Sequence, residues 1–210
     1  MKLQLLIQGF LLLVLVLAQQ WLSSQIEQRS MRAAEERASV VGDGILNGLN
    51  TLMSTQVGDK DVISDEAARA LFINKMGISD NLKEVRVVRG KGLEEFGPGL
   101  PQEQVRDDLD RAVLASGKPT YQRSASPGET LLRAVIPYIA YKEFRSSKCL
   151  KCHAVDEGSV VGAVNVTLNI QADIDSIRRI NLLIWAGQGG LQVVLFFVIQ
   201  AIVRRQLRQL

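Results

Sequence analysis

Histidine occurs once in the 210 residues and cysteine only twice. One imidazole excludes any site that needs two histidines from the same chain. Two thiols and one imidazole also fall short of the four ligands of a structural zinc site, and a carboxylate such as Asp156 would be a poor fourth. Net charge is only +3, too little for the basic field that a nucleic-acid partner calls for. Proline is missing from Ser23 to Gln56, so nothing in that stretch stops a helix. No set of residues reads as a nucleophile with its base, and the chain is not expected to be an enzyme. Acidic pairs such as Asp107-Asp108 and Asp173/Asp175 read as solvated faces of helices.

The scarce residues are gathered in one place. Cys149-Leu150-Lys151-Cys152-His153 holds both cysteines and the only histidine. The spacing C-x-x-C-H is that of covalent c-type haem attachment. Two thiols three positions apart can add to the two vinyl groups of one porphyrin, and the histidine that follows is held under the iron as proximal ligand. A redox dithiol is the competing reading, but that motif usually opens a helix after a strand. Here it follows Phe144-Arg145-Ser146-Ser147-Lys148, a polar stretch that reads as a loop.

The hydrophobic fraction is concentrated at the two ends. Leu3 to about Leu22 is almost wholly apolar, follows Lys2, and has the ~20 residues that a membrane-crossing helix requires. Val16-Leu17-Ala18 loosely resembles a signal-peptidase site, but the residues after it continue a helical pattern, which favours an uncleaved anchor. Ile180 to Val203 is the second apolar run, with Gly187, Gly189 and Gly190 for close packing and Arg204, Arg205 and Arg208 beyond it. Haem c is attached outside the cytoplasm, where thiols are not kept reduced, so the segment between the spans is expected to be exported. The expected division is 1–22 first span, 23–179 exported domain, 180–203 second span and 204–210 cytoplasmic tail.

Between the spans, Ile45, Leu49, Leu52 and Met53 fall on one face of a long helix, and Gly42, Gly44 and Gly48 would let a bulky group approach it. Ser64 is the expected N-cap of a helix that runs to Met76 and stops at Gly77. Glu84 to Arg89 predicts a strand, Gln102 to about Ala115 a helix, and Thr120 to Arg123 a short strand. Leu132 to Ala140 and Val160 to Ile170 alternate at period two and are expected to pair antiparallel, with the haem motif on the connection between them. Gly162 is either a close approach to the porphyrin or a bulge. The order predicts an α+β domain, an antiparallel sheet of four or five strands with helices to one side. With one histidine, the sixth iron position falls to a thioether, to water, or to nothing. Of Met31, Met53 and Met76, Met53 has the best setting, although a core methionine is its ordinary role.

Several stretches together resemble the periplasmic c-type haem sensor domains, PAS-like or Cache-like in fold, of bacterial methyl-accepting chemotaxis proteins and sensor histidine kinases. They are Gly48-Leu49-Asn50-Thr51-Leu52-Met53; Glu84-Val85-Arg86-Val87-Val88-Arg89-Gly90 with Phe96-Gly97-Pro98-Gly99; Ile136-Pro137-Tyr138 through the haem motif; and Val161-Gly162-Ala163-Val164-Asn165-Val166. The resemblance implies a homodimer in the bacterial inner membrane and one covalent haem c per chain. It also implies a distal ligand that is either the methionine at the Met53 position or water. The expected function is sensing of redox state or of a small gas such as NO or CO. The output would come from a cytoplasmic signalling domain or a separate partner, and Arg204 to Leu210 read as the start of a HAMP linker. The alternative is a membrane-anchored monohaem cytochrome for electron transfer.

Overall fold

The computed structural model describes residues 2–144 and 147–207, with side chains for all of these except 2–5, 95 and 207. Residues 145–146 of the stretch before the C-x-x-C-H segment and 208–210 of the tail therefore lie outside the described residues. The chain forms two compact units, one from residues 1–32 with 172–210 and the other from 33–171.

The first unit is made of the apolar part of helix α1 (Lys2–Ser54) and nearly all of helix α4 (Gln171–Leu207). Both helices are long and apolar enough to cross a membrane. Only 6% of the apolar stretch of α1 and 0% of that of α4 is buried, unlike the core helix of a water-soluble fold. Polar side chains join the two helices: Asn181 Nδ2 donates to Ser23 Oγ at 2.8 Å, and Gln188 Nε2 donates to Gln19 Oε1 at 3.3 Å. Such pairs hold helices together where apolar contact alone gives no preference over lipid.

The second unit is α+β. After α1 a two-stranded ribbon, β1 (Gln56–Val57) and β2 (Lys60–Asp61), turns at Gly58 with φ +65. Helix α2 (Glu66–Met76) is capped by Asp65, whose carboxylate accepts from the backbone N–H of Ala67 and Ala68, and it ends at Gly77. The cap is thus Asp65 and not Ser64, because Ser64 is taken up in a preceding 3-10 turn over Val62–Ser64. Strand β3 (Leu82–Arg89), helix α3 (Asp108–Ser116) and strands β4 (Thr120–Ser126), β5 (Glu129–Ile139) and β6 (Val160–Asn169) complete the unit. The helix expected over Gln102–Ala115 is divided. A 3-10 turn covers Pro101–Glu103, and α3 starts afresh at Asp107, whose carboxylate accepts from Asp110 N.

The four-stranded antiparallel sheet has the order β3-β6-β5-β4. The expected β5–β6 pairing is present, with Leu132 opposite Leu168 and Tyr138 opposite Gly162. Helices cover both faces rather than one. On one face Val113 of α3 packs with Val88, Val135 and Ala163, all at most 1% exposed. Burying each valine fully is worth about 1.5–3 kcal/mol. On the other face α1 passes so close that a Cβ on Gly42 would stand 2.5 Å from Ile136 Cδ1. At Gly48 a Cβ would stand 2.3 Å from Phe72 Cζ of α2. These two glycines admit the bulky groups, while Gly44 has nothing near it. Strand β6 is central and covered on both sides, so its alternating polar residues Asn165 and Thr167 are buried too.

The α3 face carries a buried ionic network, in which Arg86 Nε has no partner among the described residues. Asp110, 0% exposed, accepts from Arg86 Nη2 at 2.6 Å, Arg133 Nη2 at 2.9 Å, Asn165 Nδ2 at 3.1 Å and Arg106 N at 3.0 Å. Asp107 accepts from both Nη atoms of Arg133. The expectation that Asp107-Asp108 is a solvated face therefore fails at Asp107 and holds at Asp108, whose side chain is 98% exposed. The Arg133 guanidinium and the Asp110 N–H hold the Asp107 carboxyl at about 2, below its ordinary 3.8.

Candidate functional site

The connection from β5 to β6 carries the C-x-x-C-H segment. Its stem is closed by backbone bonds, Ala140 N to Ser159 O at 2.9 Å and Gly158 N to Ala140 O at 2.8 Å. A second closure, Phe144 with Ser147, has reciprocal bonds of 2.8 and 2.9 Å. Cys149–Lys151 then form one 3-10 turn. Cys152 N and His153 N both donate to Cys149 O, at 3.2 and 3.0 Å. That sharing winds the five residues into a single tight turn. Cys149 is buried, Cys152 is exposed, and both thiols are free. The turn leads through an irregular stretch into β6 rather than opening a helix, which is not the setting of a redox dithiol.

The turn forms one wall of a cavity of about 400 Å³. Leu49 and Met53 of α1 stand on another wall, and Val87 of β3, Leu93, Phe96 and Tyr138 of β5 supply further apolar surface. The structure thus brings Cys149, Cys152, His153 and Met53 to one cavity. Met31 and Met76 are not among its lining residues. A smaller cavity of about 50 Å³ behind it is again lined by Met53, His153, Tyr138 and Arg89. One contact joins α1 to the residues before the motif, and another meets the motif's histidine. Ser54 Oγ lies 3.3 Å from Ser147 Oγ, and the Phe96 ring meets His153 edge-on with centroids 5.3 Å apart. Burial, and then the neighbouring Cys149, push the Tyr138 hydroxyl above its ordinary range, so it stays a neutral phenol.

Gly162 is explained inside the sheet. A Cβ there would meet Val88 O of β3 at 2.8 Å, so the close approach is to a neighbouring strand. Reasoning from the sequence missed a polar corner of the cavity made by Arg69, Arg89 and Glu103. Arg69 Nε donates to Glu103 Oε1 at 2.5 Å and Nη1 to Ile63 O at 2.6 Å. No regular spacing joins residues 69, 89 and 103, and only the fold assembles them.

The donor set suits haem c better than a bare metal ion. Among the described residues no three His, Cys, Asp or Glu side chains converge as ligands of one ion. Covalent haem does not need such convergence, because its thiols bind the porphyrin edge and only the histidine addresses the iron. No family model matches the chain, and no curated protein matches it.

Proposed function

We propose that this chain is a membrane-bound sensor with one covalent c-type haem in its α+β unit. The observation that carries the reading is that the C-x-x-C-H turn and Met53 of α1 line the same largely apolar cavity. Cys149 and Cys152 would hold the porphyrin, His153 would be the proximal ligand, and Met53 the displaceable distal one. When bound, haem supplies a redox couple and a site for NO or CO. The apolar walls would pack against the porphyrin, and the turn around Cys149 O fixes the backbone that carries His153. Met53 is carried by the same helix, α1, that holds the first apolar run, so a change at its thioether acts on that helix. A sensor needs such an element with two states whose balance the site biases.

The reading includes a PAS- or Cache-like sensor domain in the periplasm and two spans of the inner membrane. It also includes a homodimer and an output through a cytoplasmic signalling domain or partner, as in chemoreceptors and sensor kinases. No enzymatic activity is assigned. One observation favours the second reading, an anchored electron-transfer cytochrome: Cys152 is exposed and Phe96 is 49% exposed, so one edge of the site faces solvent.

The test is the visible spectrum of the full chain, made with the c-haem attachment machinery and purified in detergent. It is recorded oxidised, reduced, and reduced with CO. The expected result is a low-spin c-type spectrum with an oxidised band near ~695 nm, the mark of a thioether on iron, and slow CO binding. A high-spin spectrum with immediate CO binding would remove Met53 from the mechanism and leave direct gas sensing. A stable low-spin spectrum that CO and NO cannot alter would favour electron transfer. Absence of any haem spectrum would sink the assignment.

A further inference from the structure

Arg89 is the last residue of β3, and its side chain stands in the wall of both the large cavity and the small one behind it. One end of its guanidinium is committed: Nη2 donates to Leu93 O at 2.5 Å and to Gly97 O at 3.0 Å. Nη1 lies 3.9 Å from Glu103 Oε2, close enough for charge attraction and too far for a hydrogen bond. Among the described residues no other acceptor meets Nε or Nη1, which leaves three of the five N–H donors without a protein partner. The side chain is nonetheless only 16% exposed.

This position is built rather than incidental. Gly99 has φ +71, and a Cβ on it would stand 2.4 Å from Arg89 Cδ and 2.7 Å from Glu103 Oε2. The left-handed backbone at Gly99 favours glycine, and its missing side chain leaves room for the arginine stem. Glu103, 5% exposed, is itself fixed by Arg69 Nε and by Leu100 N at 2.8 Å. With Arg69 engaged in this pair, the corner retains one positive charge from Arg89. A guanidinium with idle donors in a confined site is completed most strongly by a carboxylate, through charge-assisted hydrogen bonds.

Resting on the reading of this cavity as a haem site, we propose that Arg89 receives a haem propionate and that Glu103 is the positioning residue that aims it. With the vinyl edge held by the two thiols, Arg89 would hold a propionate and contribute a positive charge to the cavity wall. That charge favours the reduced form. Neither residue is needed for covalent attachment or for iron ligation.

The test uses the full haem-loaded chain in detergent and reads the propionate bending bands in the resonance Raman spectrum together with the midpoint potential. Arg89→Gln is expected to keep the c-type spectrum, shift the propionate bands and lower the potential. Glu103→Gln, which removes a negative charge, is expected to raise it. Arg89→Lys keeps the charge and loses the fork, so the bands shift while the potential stays near that of the native chain. Unchanged bands and potential in Arg89→Gln overturn the proposal. If that variant does not accumulate, native-like bands in Arg89→Lys overturn it instead. A native chain without a c-type spectrum is a separate result, which fails the haem reading itself.

Discussion

On the α3 face of the sheet, Val88, Val113, Val135 and Ala163 meet with at most 1% exposure, and every oxygen of Asp110 is occupied. On the α1 face the same strands line a cavity of about 400 Å³ beside Val87 and Tyr138. Residues three apart on one strand serve the two faces: Arg86 bonds Asp110 and Gln104 O, while Arg89 lines the cavity. The tightest packing and the larger cavity thus lie on different faces of the sheet.

The comparison predicts that damage to the closed face unfolds the unit, whereas damage to the open face leaves it folded. The largest effect is expected at Asp110→Ala. It strands Arg86, 3% exposed, beside a vacated carboxylate site, and breaking a buried pair this way costs about 3–5 kcal/mol. Urea denaturation of the α+β unit, followed by circular dichroism on the full chain in detergent, should show a loss of that size. A loss under about 1 kcal/mol would mean that the network is solvated and the two faces are alike.

A smaller effect is expected from acid, and its sign follows from Asp107. A carboxyl held at about 2 instead of 3.8 stabilises the fold in full above pH 3.8. That contribution fades as the pH falls through about 2. Asp107→Asn keeps a side chain able to cap α3 but removes the charge that meets Arg133. The stability gap between native and variant should be constant above pH 3.8 and close towards pH 2. Half-exposure of Asp107 screens the pair, which is why the gap is expected to be smaller than at Asp110. A gap that does not change with pH would remove the ion pair from the account of the closed face.

How much of this was legible in the sequence follows the range of the interactions. The β5–β6 pair could be read because period-two alternation is local, and the C-x-x-C-H turn because its residues adjoin. The Asp110 network could not, because its partners Arg86 and Asn165 lie 24 and 55 residues away. A charged residue in a strand reads as solvent-facing until the fold supplies its counter-ion. The same blindness divided the helix expected over Gln102–Ala115, since the cap at Asp107 is fixed partly by Arg133 of β5. Helices on both faces were hidden for a related reason: a central strand and an edge strand can share one alternation, and only the order β3-β6-β5-β4 makes β6 central.

The smallest effect on stability and the sharpest on the site should come from Met53→Leu. Met53 is half-buried on the apolar face of α1 beside Leu49, which is 4% exposed. Leucine conserves volume and apolar character there, so the cost should stay under about 1.5 kcal/mol. What it removes is the thioether sulfur proposed above as a ligand of the haem iron. The variant should denature almost as the native chain does, yet lose the ~695 nm band and bind CO without delay. A variant with native spectrum and native CO kinetics would make Met53 a packing residue. The link between helix α1 and the site would then rest on packing and on the Ser54–Ser147 contact rather than on a bond to iron.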